Sequence, residues 1–333
     1  MSTPAAKTEI QDWAEQVEAA LRRGRTDLAA APLRALAARL PQHPLVRILL
    51  RWAALLDVGW PAQRDTTEGA AAAPARSTPI APDAIDLVLF HVDLPASSGM
   101  GDYLAVARLS FEAAAHRAPQ ARRLLLTDER TAVPDGLGAH EVLRRPLDPA
   151  LLMYERMRAQ ELYLAERPAG RATVFMDVDV VPNRDPAGIF AEDFDVGLTW
   201  RNDVPDAPIN GGLILVGPGE AGLAFFRETR RCYDALAANA RLRSLVDRDL
   251  RAWWGDQFAF AAMAGYRSFA ATPPQAMRVA GAKLRLFPCA DFNFTPEPGP
   301  SYAADFLASR WFLHFKGNRK PMQAQYLAHM RGT

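Results

Sequence analysis

Two aspartates, Asp177 and Asp179, close the apolar run ATVFM with one residue between them. A carboxylate at the end of a buried run loses water, and two neighbouring carboxylates repel each other. The pair therefore asks for a positive partner. Mg2+ and Mn2+ are hard cations that take oxygen ligands, usually one or two carboxylates together with substrate phosphates. The spacing thus predicts metal-bound phosphate chemistry. In extended chain, residues two apart project to one side, so the two acids are expected to converge.

Other residues carry matching chemistry. His314 in WFLHFKGNRKP is a metal-ligand type, or else a buried histidine bonded to backbone. Lys316 and Lys320 flank Gly317, which would let backbone amides approach a phosphate while the cations neutralise charge on it. Asn210, Gly211 and Gly212 precede an apolar strand. The glycines permit close approach, and the amide both donates to and accepts from sugar hydroxyls; a plain β-turn reads the same way. Asp256 and Gln257 follow Trp253 and Trp254. Asp128 ends the strand RRLLLTD and is a candidate for uracil or ribose recognition, with His91 and Asp93 similarly placed. Arg158 interrupts the stripe Leu151, Tyr154, Leu162 and Ala165, where it would reach a diphosphate or pair with Asp177. Trp200, Trp253, Trp254 and Trp311 offer an acceptor platform or ordinary core.

Two enzyme classes share the aspartate pattern. MDVDVV fits the D-x-D-x-[TV] of haloacid-dehalogenase-like phosphatases, with Asp177 as nucleophile and Asp179 as acid/base. Such a phosphatase needs a later acidic motif, and the nearest candidate, GDQFAF, has Phe260 at the required position. The other class is the nucleotide-sugar glycosyltransferases. Asp177/Asp179, Asn210–Gly212, Asp256/Gln257, and His314–Gly317 with Lys320 stand in the order found in that class. Over roughly residues 84–330 the chain resembles retaining GT-A-fold glycosyltransferases of the glycogenin and bacterial lipopolysaccharide galactosyltransferase group.

The resemblance implies a metal site of Asp177, Asp179 and His314 holding Mn2+ or Mg2+ on a UDP-sugar diphosphate. It implies Lys320 as the stronger diphosphate contact, with Lys316 and Gly317 beside it. A Y-x-R pattern aligns Arg156, so Arg156 and Arg158 both stand as donor contacts. Asp256 and Gln257 would orient the transferred hexose, and Asn210, Gly211 and Gly212 would face sugar or acceptor. The acid usual two places beyond the first is Phe258 here, which leaves the transferred sugar open. The acceptor, whether glycan, lipid-linked or protein, is open too. A catalytically silent sugar-nucleotide-binding scaffold is the remaining alternative.

The elements that must position these residues alternate. Strands IDLVLFHV, RRLLLTD, ATVFMD, FDVGLTW and GGLILV are separated by helical stretches, several of them apolar on both faces. That predicts an α/β fold, a mostly parallel central sheet with helices on both faces, spanning 84–333. Residues 60–83 read as an Ala/Pro-rich linker, and 1–59 as a small all-α region, a hairpin plus a helix that loosely matches one tetratricopeptide unit. Trp13, Val17, Ala20 and Leu21 share one face, Leu33, Leu36, Ala37 and Leu40 another, with a stop at Gly24 and a cap at Thr26 or Asp27. One such unit cannot bury its own face, so it docks on the sheet domain or on a second copy, as a homodimer would. Asp148 is expected to cap a helix beginning at Pro149.

Composition sets the outer bounds. With 49% hydrophobic and 23% charged residues the chain is globular. A net charge of +1 gives no field for nucleic acid or an acidic membrane. No apolar stretch reaches a membrane span, and the polar N-terminus is unlike a signal peptide. Two cysteines, Cys232 and Cys289, suit a reducing compartment, and the expected location is cytoplasmic.

Overall fold

A computed structural model describes residues 4–58, 64–65, 75–94, 102–201, 204, 207–244, 246, 249–264, 276–297 and 307–332. Helices α1 (Pro4–Arg22), α2 (Thr26–Arg39) and α3 (Pro44–Val58) come first, followed by the short strand β1 (Arg64–Asp65). The central region runs β2 (Ile85–Phe90), α4 (Tyr103–Arg117), β3 (Arg122–Asp128), β4 (Glu141–Arg145), α5 (Leu152–Glu166), β5 (Ala172–Met176), β6 (Val180–Pro182), β7 (Val196–Trp200) and β8 (Ile209–Val216). It continues with α6 (Ala221–Ala238), α7 (Ala240–Ser244), α8 (Gly255–Met263), β9 (Ala276–Val279), β10 (Ala282–Pro288), α9 (Cys289–Phe292), β11 (Phe312–His314) and α10 (Met322–Arg331).

Nine strands form one sheet in the order β1-β9-β10-β7-β8-β5-β2-β3-β4. Only β8 and β9 oppose the rest, so the sheet is mostly parallel. The apolar strands sit centrally: β5, β7 and β8 are buried throughout. Successive side chains of β2 go to opposite faces, as pleating requires. Val88 joins Phe175, Phe226, Met157 and Tyr163 on one face, while Leu87 and Leu89 join Phe111 and Phe190 on the other. Helices thus cover both faces. The edge strand β4 has the charged sequence EVLRR and is largely exposed, which hides it from a hydrophobic pattern.

The N-terminal helices follow their apolar stripes. Val17, Leu21, Leu33, Leu36, Leu49 and Trp52 are buried in the same cluster as Leu236, Leu242 and Phe260 of α6, α7 and α8. The face that a single hairpin cannot cover is therefore covered by the sheet's own helices. Gly24 stops α1 at a positive φ of 67°. The cap differs from expectation: Thr26 and Asp27 lie inside α2, and Asp27 turns back to Arg25, with Nε–Oδ1 at 2.9 Å. Asp148 does cap its turn, accepting from the Ala150 amide at 2.9 Å, with Pro149 at the first position. Within the stretch read as linker, β1 pairs with β9 and Ala75 bridges Glu192; residues 66–74 lie outside the described residues.

A second, two-stranded sheet pairs β6 with β11 antiparallel. Its register sets His314 opposite Val180 and Phe312 opposite Pro182. Helix α10 packs behind it through Tyr326 and Leu327 against Val181, Leu313 and Phe315. This small sheet links the C-terminal segment to the aspartate pair.

Candidate active site

The two aspartates occupy a turn rather than extended chain. The Val180 amide donates to the Asp177 carbonyl at 3.0 Å, and Ser110 Oγ donates to the Val178 carbonyl at 2.6 Å. The acids converge by this reversal, not by strand pleating, which corrects the extended-chain expectation. The turn leads into β6, whose partner β11 delivers His314. Its Nε2 lies 3.2 Å from Asp179 Oδ1 and 3.9 Å from Asp177 Oδ2.

One ligand atom from each of Asp177, Asp179 and His314 lies within 4.8 Å of the other two. Around an octahedral ion with bonds of about 2.1 Å, neighbouring ligand atoms stand about 3 Å apart and opposite ones about 4.2 Å. Two carboxylates and an imidazole at these separations fit a divalent cation. Asp179 and His314 are buried, while the Asp177 side chain is 31% exposed, so the cluster opens on the Asp177 side.

Arg156 of α5 reaches the same place. Its guanidinium pairs with Asp177 through Nη1 and with Asp256 through Nη2. Burial pulls its pKa down, but Asp256 and then Asp177 outweigh that, and the net shift is upward. Asp256 stands in the first turn of α8, where the helix N-terminus favours a negative charge. It is 2% exposed and its second oxygen, Oδ1, has no hydrogen-bond partner among the described residues. An orphaned buried oxygen is costly, and a ligand hydroxyl would satisfy it.

The glycines of β8 face this cluster closely. The β7–β8 ladder slips between Leu198 and Thr199, so that Thr199 pairs with Asn210 and residues 211–213 bulge. The Gly212 carbonyl accepts from the Asp177 amide at 2.8 Å. A Cβ on Gly212 would lie 2.7 Å from Asp177 Oδ2 and 2.5 Å from His314 Cε1. A Cβ on Gly211 would lie 3.0 Å from both Arg156 Nη2 and Asp256 Oδ2. Asn210 spends its side-chain oxygen on the bulge, accepting from the Gly212 amide at 2.9 Å.

Lys320 Nζ lies 3.1 Å from Asp179 Oδ2 and 5.1 Å from the Tyr103 ring centre. Burial opposes its charge, but Asp179 more than compensates and the ammonium pKa rises. Asp179 is drawn the other way: burial would raise its pKa, yet His314 and Lys320 hold it well below the usual carboxylate range. Lys316, two residues after His314, has its pKa lowered, chiefly by burial. Gly317 adopts φ 58° in the turn between the two lysines, the left-handed region that favours glycine. Directly paired, three carboxylates face two cations, Arg156 and Lys320, one positive charge short of balance. A divalent ion would reverse that sign and leave the site attractive to a diphosphate.

Several residues are not brought to the cluster. Arg158 pairs instead with Glu155 of its own helix, Nη1–Oε2 2.9 Å, and is 41% exposed. The buried face of α5 is not the stripe through Leu151 and Leu162. It carries Arg156, Met157, Ala159, Gln160, Tyr163 and Leu164, and the polar members mask it. Asp128 ends β3 as a turn residue, accepting from the Thr131 amide at 2.8 Å. His91 pairs with Asp93 at 3.0 Å. Trp200 is core, and Trp311 is stacked on Phe292 beneath Arg184. Trp254 is 42% exposed and has a left-handed backbone, φ 68°, at the start of α8. Phe260, at the position a phosphatase would fill with an acid, is buried core.

Sequence reasoning missed three contributors. Arg201 donates to Gln257 Oε1 at 3.0 Å. Asn293 and Thr199 stand behind His314, with His314 Nδ1 2.9 Å from Asn293 Oδ1. No periodicity or motif in CADFNFTP marks Asn293.

No protein-family model and no curated protein matches the chain. Among solved structures it is similar to the galactosyltransferase LgtC in complex with donor and acceptor sugar analogues, at 14% identity and TM-score 0.43, covering 74% of this chain and 95% of that one. It is also similar to the apo-form glycosyltransferase GlyE of Streptococcus pneumoniae TIGR4, at 12% identity and TM-score 0.44, covering 73% of this chain and 59% of that one. At these scores the likeness is a distant one of chain path, and the assignment of chemistry falls to the site's own residues.

Proposed function

We propose that the chain is a metal-dependent glycosyltransferase that moves a hexose from a UDP-sugar to an acceptor, with retention. The observation that carries this reading is the convergence of Asp177, Asp179 and His314 on one point at the carboxyl end of β5. Ligands of open α/β sheets bind at such ends.

Asp177, Asp179 and His314 would hold Mn2+ or Mg2+, which when bound stabilises charge developing on the departing diphosphate. The chain's own residues do the rest. Lys320 and Lys316 supply further positive charge along the leaving group, and Gly317 opens its turn to phosphate oxygens. Arg156 holds Asp256 with one oxygen pinned and the other bare, so Asp256 accepts from a hydroxyl of the sugar ring. Gly211 and Gly212 let the ring approach the backbone. Gln257 lies beside Asp256, its oxygen oriented by Arg201. An amide is a poor nucleophile, and Asp256 is tied to Arg156. We therefore assign a same-face displacement, in which the acceptor enters where the diphosphate leaves. The partners are then a UDP-sugar and a carbohydrate, lipid-linked or protein acceptor. A cytoplasmic setting suits Cys232 and Cys289, neither of which is in a disulfide. No described helix is long and apolar enough to cross a membrane.

A thermal-shift screen of nucleoside diphosphates with and without Mn2+ tests this. A large shift with UDP that needs the metal, lost in D177A/D179A, is the expected result. No shift with any nucleotide, or a shift indifferent to metal and to both aspartates, overturns it.

A further inference from the structure

Behind the metal-facing edge of His314 runs a chain of neutral, buried hydrogen bonds. His314 Nδ1 lies 2.9 Å from Asn293 Oδ1, Asn293 Nδ2 lies 3.0 Å from Thr199 Oγ1, and Thr199 Oγ1 lies 3.0 Å from the Asn210 carbonyl oxygen. Asn293 is 1% exposed, Thr199 0% and His314 4%, so water does not compete for these bonds.

The chain has a direction, set at its far end. A backbone carbonyl only accepts, so the Thr199 hydroxyl donates to Asn210. The next nearest acceptor of that hydroxyl, the Leu213 carbonyl at 3.5 Å, imposes the same sense. With its proton committed, Thr199 offers Asn293 a lone pair and takes one of its amide N–H bonds. Asn293 must then turn its carbonyl oxygen to His314. A neutral imidazole facing that oxygen carries its proton on Nδ1, and Nε2 presents a bare lone pair to the space shared with Asp177 and Asp179. The β7–β8 bulge is part of the device, because the ladder slip is what pairs Thr199 with Asn210.

We propose that Asn293 and Thr199 are positioning residues that lock His314 in the Nδ1–H tautomer and thereby set the site's affinity for its divalent cation. The proposal rests on the reading of Asp177, Asp179 and His314 as a metal site. Residues that orient a metal-bound histidine commonly change metal affinity 10- to 100-fold when removed.

The first measurement needs no variant. In 15N-histidine-labelled, metal-free full chain, long-range 1H–15N correlation identifies the tautomer of each neutral ring, and His314 is the signal absent from H314Q. Because Nε2 faces the Asp179 carboxylate at 3.2 Å, the spectrum is followed as pH is raised until the ring is neutral; protonated Nδ1 with bare Nε2 is then expected, and the reverse pattern overturns the proposal. The second is Mn2+ binding followed by electron paramagnetic resonance. N293A is expected to weaken binding at least tenfold, as is T199V to a lesser degree. N293D, which still accepts from Nδ1, and T199S, which keeps the hydroxyl, are expected to stay within about threefold of wild type. Wild-type affinity in N293A, or a loss in N293D as large as in N293A, overturns the proposal. Should N293A fail to fold, the T199V/T199S pair and the wild-type spectrum decide. If the wild-type chain binds no Mn2+, the metal reading fails, and the spectrum still judges the tautomer lock on its own.

Discussion

Removing the Arg156 guanidinium tests the electrostatic core of the site. In R156M the side-chain length is nearly kept, while the positive charge between Asp177 and Asp256 is lost. Asp177 is 31% exposed and recovers water, so its share of the cost is small. Asp256 is 2% exposed and has no such escape. Its cheapest relief is to take up a proton. Neutralising a carboxyl of ordinary pKa, about 3.9, costs about 4 kcal/mol at pH 7 and about 1.5 kcal/mol at pH 5. That ceiling agrees with the roughly 3–5 kcal/mol usually lost when one partner of a buried ion pair is removed. Urea denaturation of R156M and wild type at both pH values reads the difference directly. The carboxyl left behind has a raised pKa in the folded variant, so the penalty grows as pH rises from 5 to 7. Adding D256N should return much of the loss, because the orphaned charge is then gone. R22M, which breaks a pair whose two members, Arg22 and Glu18, both stand well out in solvent, should lose no more than about 1 kcal/mol. The reasoning is refuted if R156M loses under 1 kcal/mol, if its loss is flat with pH, or if R22M costs as much.

The other expectations are narrower. G212A places a methyl group against Asp177 and His314 and should cost about 1–3 kcal/mol in stability together with at least tenfold in Mn2+ affinity, whereas G211A should be milder; equal effects by calorimetry would contradict the placement. At Trp254 the left-handed backbone should make W254G more stable than W254A by about 1 kcal/mol in urea titrations, the reverse of their order in an ordinary helix. K320M should bind Mn2+ alone up to about fivefold more tightly, since the lysine no longer competes for Asp179 across a pair worth about 1 kcal/mol, yet bind UDP with Mn2+ more weakly. Weaker binding of the bare ion by isothermal calorimetry would show that Lys320 is no competitor.

The strand–helix alternation was legible because core strands such as ATVFM and GGLILV are apolar on both faces, and the D-x-D and His314 stood out as chemistry at strand ends. The N-terminal stripes were legible from the helical spacing of their apolar residues on one face, though not what covers them, since no local pattern names a distant partner surface. Helix α5 misled because it buries Glu155, Arg156 and Gln160. Polar groups placed inward for a site break the apolar period used to find the inward face, and the stripe through Arg158 was the residue of that conflict. The turn at Asp177–Val180 and the contributions of Asn293 and Thr199 depend on bonds between segments up to 94 residues apart, and those are invisible to spacing.

Strand direction explains why the site forms here. β8 runs against β5, with Met176 opposite Leu213, so the beginning of β8 meets the end of β5. A parallel neighbour would have brought its own carboxyl end to that edge and left Asn210–Gly212 at the far side of the sheet. The reversal instead sets the glycine bulge against Asp177. The slip at Thr199 then gives the same bulge a second contact, through Asn293, to His314. Both sides of the Asp177–Asp179–His314 cluster are thereby referenced to one stretch of backbone. The spacing of the Asp177, Asp179 and His314 side chains thus depends on the pairing of β8 with its two neighbours.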